Sequence, residues 1–252
     1  MTGEFSGRVA LVTGAAGAGI GQATARRLAR EGAAVAITDS HERRTKEVAE
    51  SLRAEYGDRI VGYTLDISDR ARADEVLAQA ETDLGPLDFL VNNAAINLLG
   101  PLSEYEPADW DRVIDVDLNA NFYLIRRALP GMMERKRGVI VNVSSVAGWL
   151  TGGGVEGPYA AAKAAMMALT RTVAFEGGPF GVRCNAVAPG IVRSRFVEKR
   201  AEAFEREIQR TPLRRLGEPE DIANIIAFLC SEQSSFVTGE TINASGGWYM
   251  RG

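Results

Sequence analysis

With one histidine in 252 residues, His41, proton transfer near neutral pH must fall to other side chains. The stretch GPYAAAKAA (157–165) places a tyrosine, Tyr159, four positions before a lysine, Lys163. On a helix that spacing stacks both on one face. A free phenol titrates at about pH 10, so a tyrosine base at neutrality needs about 4 kcal/mol of help. An ammonium ~5 Å away supplies roughly 3 kcal/mol at an effective dielectric near 20. The pair therefore suits acid–base chemistry on an alcohol or carbonyl oxygen. The plainer alternative is an amphipathic helix whose tyrosine packs and whose lysine lays its stem along the surface. His41 opens a polar helix and reads as solvated.

A second stretch, TGAAGAGIG (13–21), lies between a β-branched run and a helical pattern. Its glycines permit a tight turn and let a pyrophosphate approach the N–H groups of a helix N-terminus. Asp39 follows 20 residues after Gly19, at the end of the next β-branched run. A carboxylate there accepts from the adenosine ribose hydroxyls and repels a 2′-phosphate, which favours NAD over NADP. Its other role would be to cap the following helix. Arg43 and Arg44 complicate that preference, since either is long enough to reach a phosphate, but inside that helix they read as solvated. A cationic nicotinamide would bring the remaining charge that Tyr159 needs as a base.

These groups need a frame. Strand patterns run over 8–13, 34–39, 60–66, 87–93, 138–145, 182–190 and 240–243. Helical patterns run over 21–32, 41–56, 69–84, 107–135, 157–176 and 218–231. The alternation predicts an α/β fold: a doubly wound, parallel, seven-stranded sheet (a Rossmann fold) with helices on both faces. No linker or repeat divides it, so residues 1–252 read as one domain, with the Arg- and Glu-rich stretch 191–216 as a mobile helical flap. Ligands of such sheets bind outside the carboxyl ends of the strands. The glycine loop, Asp39, Asp66, Asn92–Asn93, Ser144–Ser145 and Pro189–Gly190 all fall there, although each alone is also ordinary turn chemistry.

Bulk properties narrow the partners. Basic residues number 29 against 33 acidic, a net charge of −4 that gives no reason to expect nucleic acid or an anionic membrane. Cys184 and Cys230 lie far apart, outside any metal-ligand spacing, and fit a reduced cytoplasmic setting. No apolar run approaches transmembrane length, and the N-terminus lacks a signal-peptide pattern. The expectation is a soluble, metal-free cytoplasmic protein.

TGAAGAGIG, NNAA, VNVSS, YAAAK and VAPG, in this order, resemble the short-chain dehydrogenase/reductase family, in particular its bacterial 3-oxoacyl-acyl-carrier-protein reductase-like members. The resemblance runs essentially end to end. It implies that Ser145, Tyr159 and Lys163 are catalytic. It further implies that Gly14, Gly19, Ile20 and Gly21 hold the dinucleotide phosphates, Asp66 and Ile67 the adenine, Asn93 a ribose, and Val192 the nicotinamide amide. Tyr159 and Lys163 would touch the cofactor as well, and Lys163 would grip the nicotinamide ribose. A homotetramer is implied, with helices 107–135 and 157–176 and the tail GGWYMRG at its interfaces.

Three departures stand out. The glycine loop has one residue more than usual between Gly14 and Gly19. The Ser145–Tyr159 interval is also one longer, in the stretch TGGGVEG. Asp117 stands where the family pattern has an asparagine whose backbone carbonyl holds a water leading to the lysine. Since any residue has a carbonyl, catalysis should tolerate the aspartate.

These readings converge on an oxidoreductase that moves a hydride between NAD(H) and a secondary alcohol or ketone. Tyr159 would be its acid and base, and Asp117 would sit beside the relay. NADPH-dependent reduction of a 3-oxoacyl thioester is one rival, and a non-catalytic dinucleotide-sensing protein another. Trp149, Leu98, Leu99 and Phe196 would line an apolar substrate pocket or pack in the core.

Overall fold

The computed structural model describes residues 3–150, 155–199 and 201–250. Seven strands form one sheet: β1 (Val9–Thr13), β2 (Ala34–Asp39), β3 (Ile60–Thr64), β4 (Phe89–Asn92), β5 (Gly138–Val143), β6 (Val182–Pro189) and β7 (Thr241–Ala244). Their order is β3-β2-β1-β4-β5-β6-β7, and every neighbouring pair is parallel. The chain winds outward from β1 to β3, crosses back to lay β4 beside β1, and winds the other way. The crevice between the carboxyl ends of β1 and β4 is thus the switch point where such sheets bind ligands.

Among the described residues nine α-helices lie between the strands: α1 (Ile20–Arg30), α2 (Glu42–Tyr56), α3 (Arg70–Leu84), α4 (Pro107–Ile114), α5 (Ala120–Glu134), α6 (Gly157–Gly177), α7 (Arg195–Glu198), α8 (Ala201–Arg210) and α9 (Pro219–Cys230). Both sheet faces are covered, so the strands read as continuous apolar runs. Within β1, Ala10 and Val12 face Leu28 of α1, Leu52 of α2 and Ile226 of α9. Val9 and Leu11 turn to the opposite face, with Val76 of α3, Leu124 of α5 and Val173 of α6. Period-2 alternation divides one strand between two cores. No described helix is long and apolar enough to cross a membrane.

Three expectations change in detail. The helix predicted over 107–135 is interrupted by a wide, π-type turn at Asp115–Asn119, with Asp117 in its middle. Strand β3 ends at Thr64, so Asp66 lies in the loop beyond it. The Arg- and Glu-rich stretch carries two helices, α7 and α8. Residues 151–154 of the lengthened stretch TGGGVEG, Arg200 of the flap, and the last two residues of the tail lie outside the described residues.

Candidate active site

The loop after β1 and the loop after β4 meet at the switch point and are locked together there. Thr13 Oγ1 accepts from the N–H groups of Asn93 (2.9 Å) and Ala94 (3.0 Å). The Asn93 amide in turn donates to the carbonyls of Thr13 (2.9 Å) and Gly14 (3.1 Å). The glycines between them divide into two kinds. Gly14 has φ +63°, and a Cβ on it would come within 2.8 Å of Ala94 Cα; one on Gly21 would come within 2.5 Å of both Asn93 Nδ2 and Gly14 O. Those two permit close packing. A Cβ on Gly17 or Gly19 would meet nothing within 4 Å. That open space lies in front of the α1 N-terminus, whose first turn carries no acidic residue. The arrangement fits a pyrophosphate on free N–H groups.

Asp39, at the end of β2, faces this loop. One carboxylate oxygen accepts from Ala16 N (3.2 Å) and the other from His41 N (3.1 Å). It thus steadies both the glycine loop and the start of α2. Arg44 corrects a sequence expectation: it is not simply solvated, because its guanidinium lies 3.8 Å from Asp39. Arg43 does extend into solvent beside Glu47. Asp39, Arg44, Asp66, Ile67 and Asn93 line one cavity of about 430 Å³, in which Asp66 accepts from Ser68 N and Oγ (3.0 and 2.7 Å).

A second cavity, of about 660 Å³, adjoins the first through Gly14, Arg44 and Asn93. Gly19, Ile20, Gly21, Ser145, Tyr159, Lys163 and Val192 all line it. Ser145 follows β5 in an extended conformation, and its Oγ accepts from Ala147 N at 3.1 Å. Helix α6 carries Tyr159 in its first turn and Lys163 one turn on. It is pinned to β5 twice: Ser144 Oγ donates to Lys163 O (2.7 Å), and Lys163 Nζ donates to Val143 O (3.1 Å). The Lys163 ammonium lies 5.3 Å from the Tyr159 ring centre, as the four-residue spacing predicts.

Behind the lysine lies Asp117, fully buried, with Oδ2 3.6 Å from Lys163 Nζ and Oδ1 accepting from Ile96 N at 2.8 Å. Burial raises its carboxyl above the usual range, against the opposing pull of the Lys163 charge and the Ile96 N–H. Its backbone carbonyl accepts from Asn121 Nδ2 at 2.8 Å. The side chain, rather than the carbonyl alone, is therefore what meets the lysine. This alters the expected electrostatics, because the charge invoked to acidify Tyr159 is shared with a carboxyl. Burial, and next the charge of Asp117, push the phenol upward; a hydrogen bond with Ser145 pulls it down and Glu156 adds a further upward push.

Sequence reasoning missed part of the cavity wall. Phe196 lines it as expected, whereas Leu98, Leu99 and Trp149 do not; Leu150, Phe204 and Trp248 do. Trp149 stacks on Tyr249, ring centres 5.0 Å apart. Asn97 and Glu156, also in the wall, gave no signal in the sequence because they come from separate loops. Among the described residues no group of side chains could hold a metal ion.

A family model described as enoyl-(acyl carrier protein) reductase matches residues 14–249. The chain is 43% identical over 246 residues to (5R,7aS)-5-hydroxy-7a-methyl-1-oxo-2,3,5,6,7,7a-hexahydro-1H-indene-carboxyl-CoA reductase of Mycobacterium tuberculosis, covering 96% of this chain and 94% of that one. It is 39% identical over 245 residues to a 3-oxoacyl-acyl-carrier-protein reductase of Thermotoga maritima, covering 97% and 98%. The crystal structure of a 3-oxoacyl-acyl-carrier-protein reductase from Brucella melitensis superposes with a TM-score of 0.90 at 37% identity, covering 98% and 93%.

Proposed function

The chain belongs to the short-chain dehydrogenase/reductase family of nicotinamide-dependent oxidoreductases, and from that premise we propose that it moves a hydride between NAD(H) and a secondary alcohol or its ketone. The observation that supports this most is the meeting of Ser145, Tyr159 and Lys163 in one cavity with the open glycine loop. In this reading Gly14, Gly19, Ile20 and Gly21 form the phosphate cradle, and Asp39 takes the adenosine ribose hydroxyls. Asp66 and Ile67 flank the adenine, Asn93 holds a ribose, Lys163 grips the nicotinamide ribose, and Val192 meets the carboxamide.

The residues divide the proton work. Ser145 Oγ accepts from Ala147 N–H and keeps its own proton as a donor, which is directed to the Tyr159 phenol in the structure and passes to the substrate oxygen in this reading. The Tyr159 phenol gives its proton to that oxygen in reduction and recovers it in oxidation. Because burial, and next Asp117, push Tyr159 upward, the phenol keeps the proton that reduction requires. Lys163 is held by Val143 O and by Asp117, so its ammonium is fixed beside the phenol.

A second reading, reduction of a 3-oxoacyl thioester with NADPH, draws on Arg44, whose guanidinium offsets the Asp39 charge at the place a 2′-phosphate would occupy. A panel of ketones and 3-oxoacyl thioesters, each with NADH and NADPH, separates the two. Preference for NADH with simple ketones is expected. Preference for NADPH with thioesters would replace the first reading by the second, and dinucleotide binding without any turnover would indicate a sensor. We further propose a single domain with residues 191–216 as a flap over the substrate. The same reading includes a homotetramer, to which the outward Phe122 of α5 and Phe175 of α6, 42% and 87% exposed, would lend apolar surface.

A further inference from the structure

The wall of the larger cavity beside Tyr159 is built from two loops joined at one point. Gly100, after β4, donates to Val155 O at 2.8 Å, and Gly100 and Glu156 form a parallel bridge. That junction brings Asn97 against Glu156, with Asn97 Nδ2 donating to Glu156 Oε2 at 2.9 Å. A carboxylate only accepts, so the amide turns its NH₂ group to it, and the amide oxygen is left over. Asn97 Oδ1 is buried and has no hydrogen-bond partner. The influences on the Glu156 carboxyl are burial, which raises it, and the Asn97 amide; no cation among the described residues contributes.

The Glu156 carboxylate, held by one amide donor and by no cation among the described residues, thus stands in the wall of the reaction cavity with acceptor capacity to spare. Glu156 is the residue just before α6, three positions ahead of Tyr159, and both line this cavity. A group held there shares this cavity with the oxygen that Tyr159 serves. It must donate, because a second anion beside an uncompensated carboxyl is repelled and an alkyl group leaves that acceptor capacity unsatisfied.

We infer that Glu156, positioned by Asn97, forms a hydrogen-bond-acceptor subsite for a substrate hydroxyl, so that the preferred substrates are α-hydroxyketones and the matching vicinal diols, and not keto acids. The inference rests on the proposed ketone reduction. In that reaction the carbonyl carbon gains a hydride from the reduced dinucleotide, the oxygen gains the Tyr159 proton, and the neighbouring hydroxyl is unchanged.

The test uses 2-hydroxyacetophenone, propiophenone and phenylglyoxylate, which place a hydroxymethyl, an ethyl or a carboxylate beside the same ketone. The expected kcat/KM for the hydroxyketone exceeds that for propiophenone by at least about tenfold, the scale set by a buried acceptor left unpaired. Phenylglyoxylate should be the poorest of the three. Glu156→Met should bring the hydroxyketone-to-propiophenone ratio towards one. Glu156→Gln, which keeps an acceptor and removes the charge, should preserve that ratio while improving phenylglyoxylate. A wild-type ratio near one, a preference for phenylglyoxylate, or a ratio unmoved by Glu156→Met would overturn the subsite and leave ketone reduction standing. No turnover of any of the three with either cofactor would remove ketone reduction, and the subsite with it.

Discussion

Just ahead of β1, β4 and β5 stand Arg8, Asp88 and Arg137; just beyond the same three strands stand Gly14, Asn93 and Ser145. At the amino edge the buried Asp88 takes Val9 N–H at 2.9 Å, Arg8 at 3.3 Å and Arg137 at 2.6 Å. Both arginines keep part of their surface in water, so the carboxylate is fully served and the cations are not stranded. At the carboxyl edge the buried Asp117 has one N–H on Oδ1, while Oδ2 faces an ammonium at 3.6 Å without a hydrogen bond. The fold therefore satisfies its carboxylate where it only has to hold together and leaves one under-satisfied behind the tyrosine proposed to carry the proton. Incomplete pairing of this kind holds a titratable group where its charge can change, and it is commonest at sites of chemistry.

The contrast is open to test at both edges, and the largest effect belongs to the reactive one. Tyr159→Phe keeps the ring and removes the proposed proton carrier; kcat should fall by about 10²-fold or more, with dinucleotide binding retained by fluorescence titration. Wild-type turnover by this variant would end the proposed mechanism. At the amino edge, Asp88→Ala leaves Val9 N–H buried without a partner. A loss of about 2 kcal/mol in stability is expected, seen as a lower denaturation midpoint, with kcat of the folded enzyme unchanged. A large loss of kcat there would mean that the edges are not separable.

Smaller effects sharpen the account. The double change Asp39→Ala with Ser40→Arg should move the NAD(H)-to-NADP(H) ratio of kcat/KM by about tenfold or more towards the phosphorylated cofactor. Wild type should favour NAD(H), and the opposite preference would show that Arg44 outweighs Asp39. Asp117→Asn should change kcat by less than about tenfold, a barrier change below ~1.4 kcal/mol. Its pH profile is more informative. Asp117 raises the phenol, so removing its charge lowers the Tyr159 pKa. Reduction, which needs the phenol, should then fail at a lower pH than in wild type, and oxidation, which needs the phenolate, should rise at a lower pH. An unmoved profile would place the proton elsewhere.

Much of this was legible in one dimension. The strand and helix periods gave the seven strands and the switch point, because both cores are built from alternating residues of the same buried runs. Tyr159 and Lys163 share one helix, and Ser145 ends a strand, so local spacing sufficed for each. Other features needed three dimensions. Arg44 reads as solvated until α2 is seen to start beside Asp39. The break in the helix over 107–135 has no proline or glycine to announce it. Asn97 and Glu156 are 59 residues apart and meet only because β4 and β5 are neighbours. Trp149, an obvious candidate for a pocket wall, is claimed by Tyr249 near the end of the chain.

The two tethers between β5 and α6 carry a further consequence. Ser144 and Lys163 fasten the strand to the helix on either side of the connecting stretch, by contacts that do not involve it. That stretch already departs from the usual length by one residue, and its ends are anchored by bonds indifferent to what lies between. It is thus a place where lineages, or an engineer, can insert and delete residues as a module. Loop libraries grafted over 151–154 should change the range of molecules turned over. The tethered strand end and helix would carry the proton chemistry through each exchange.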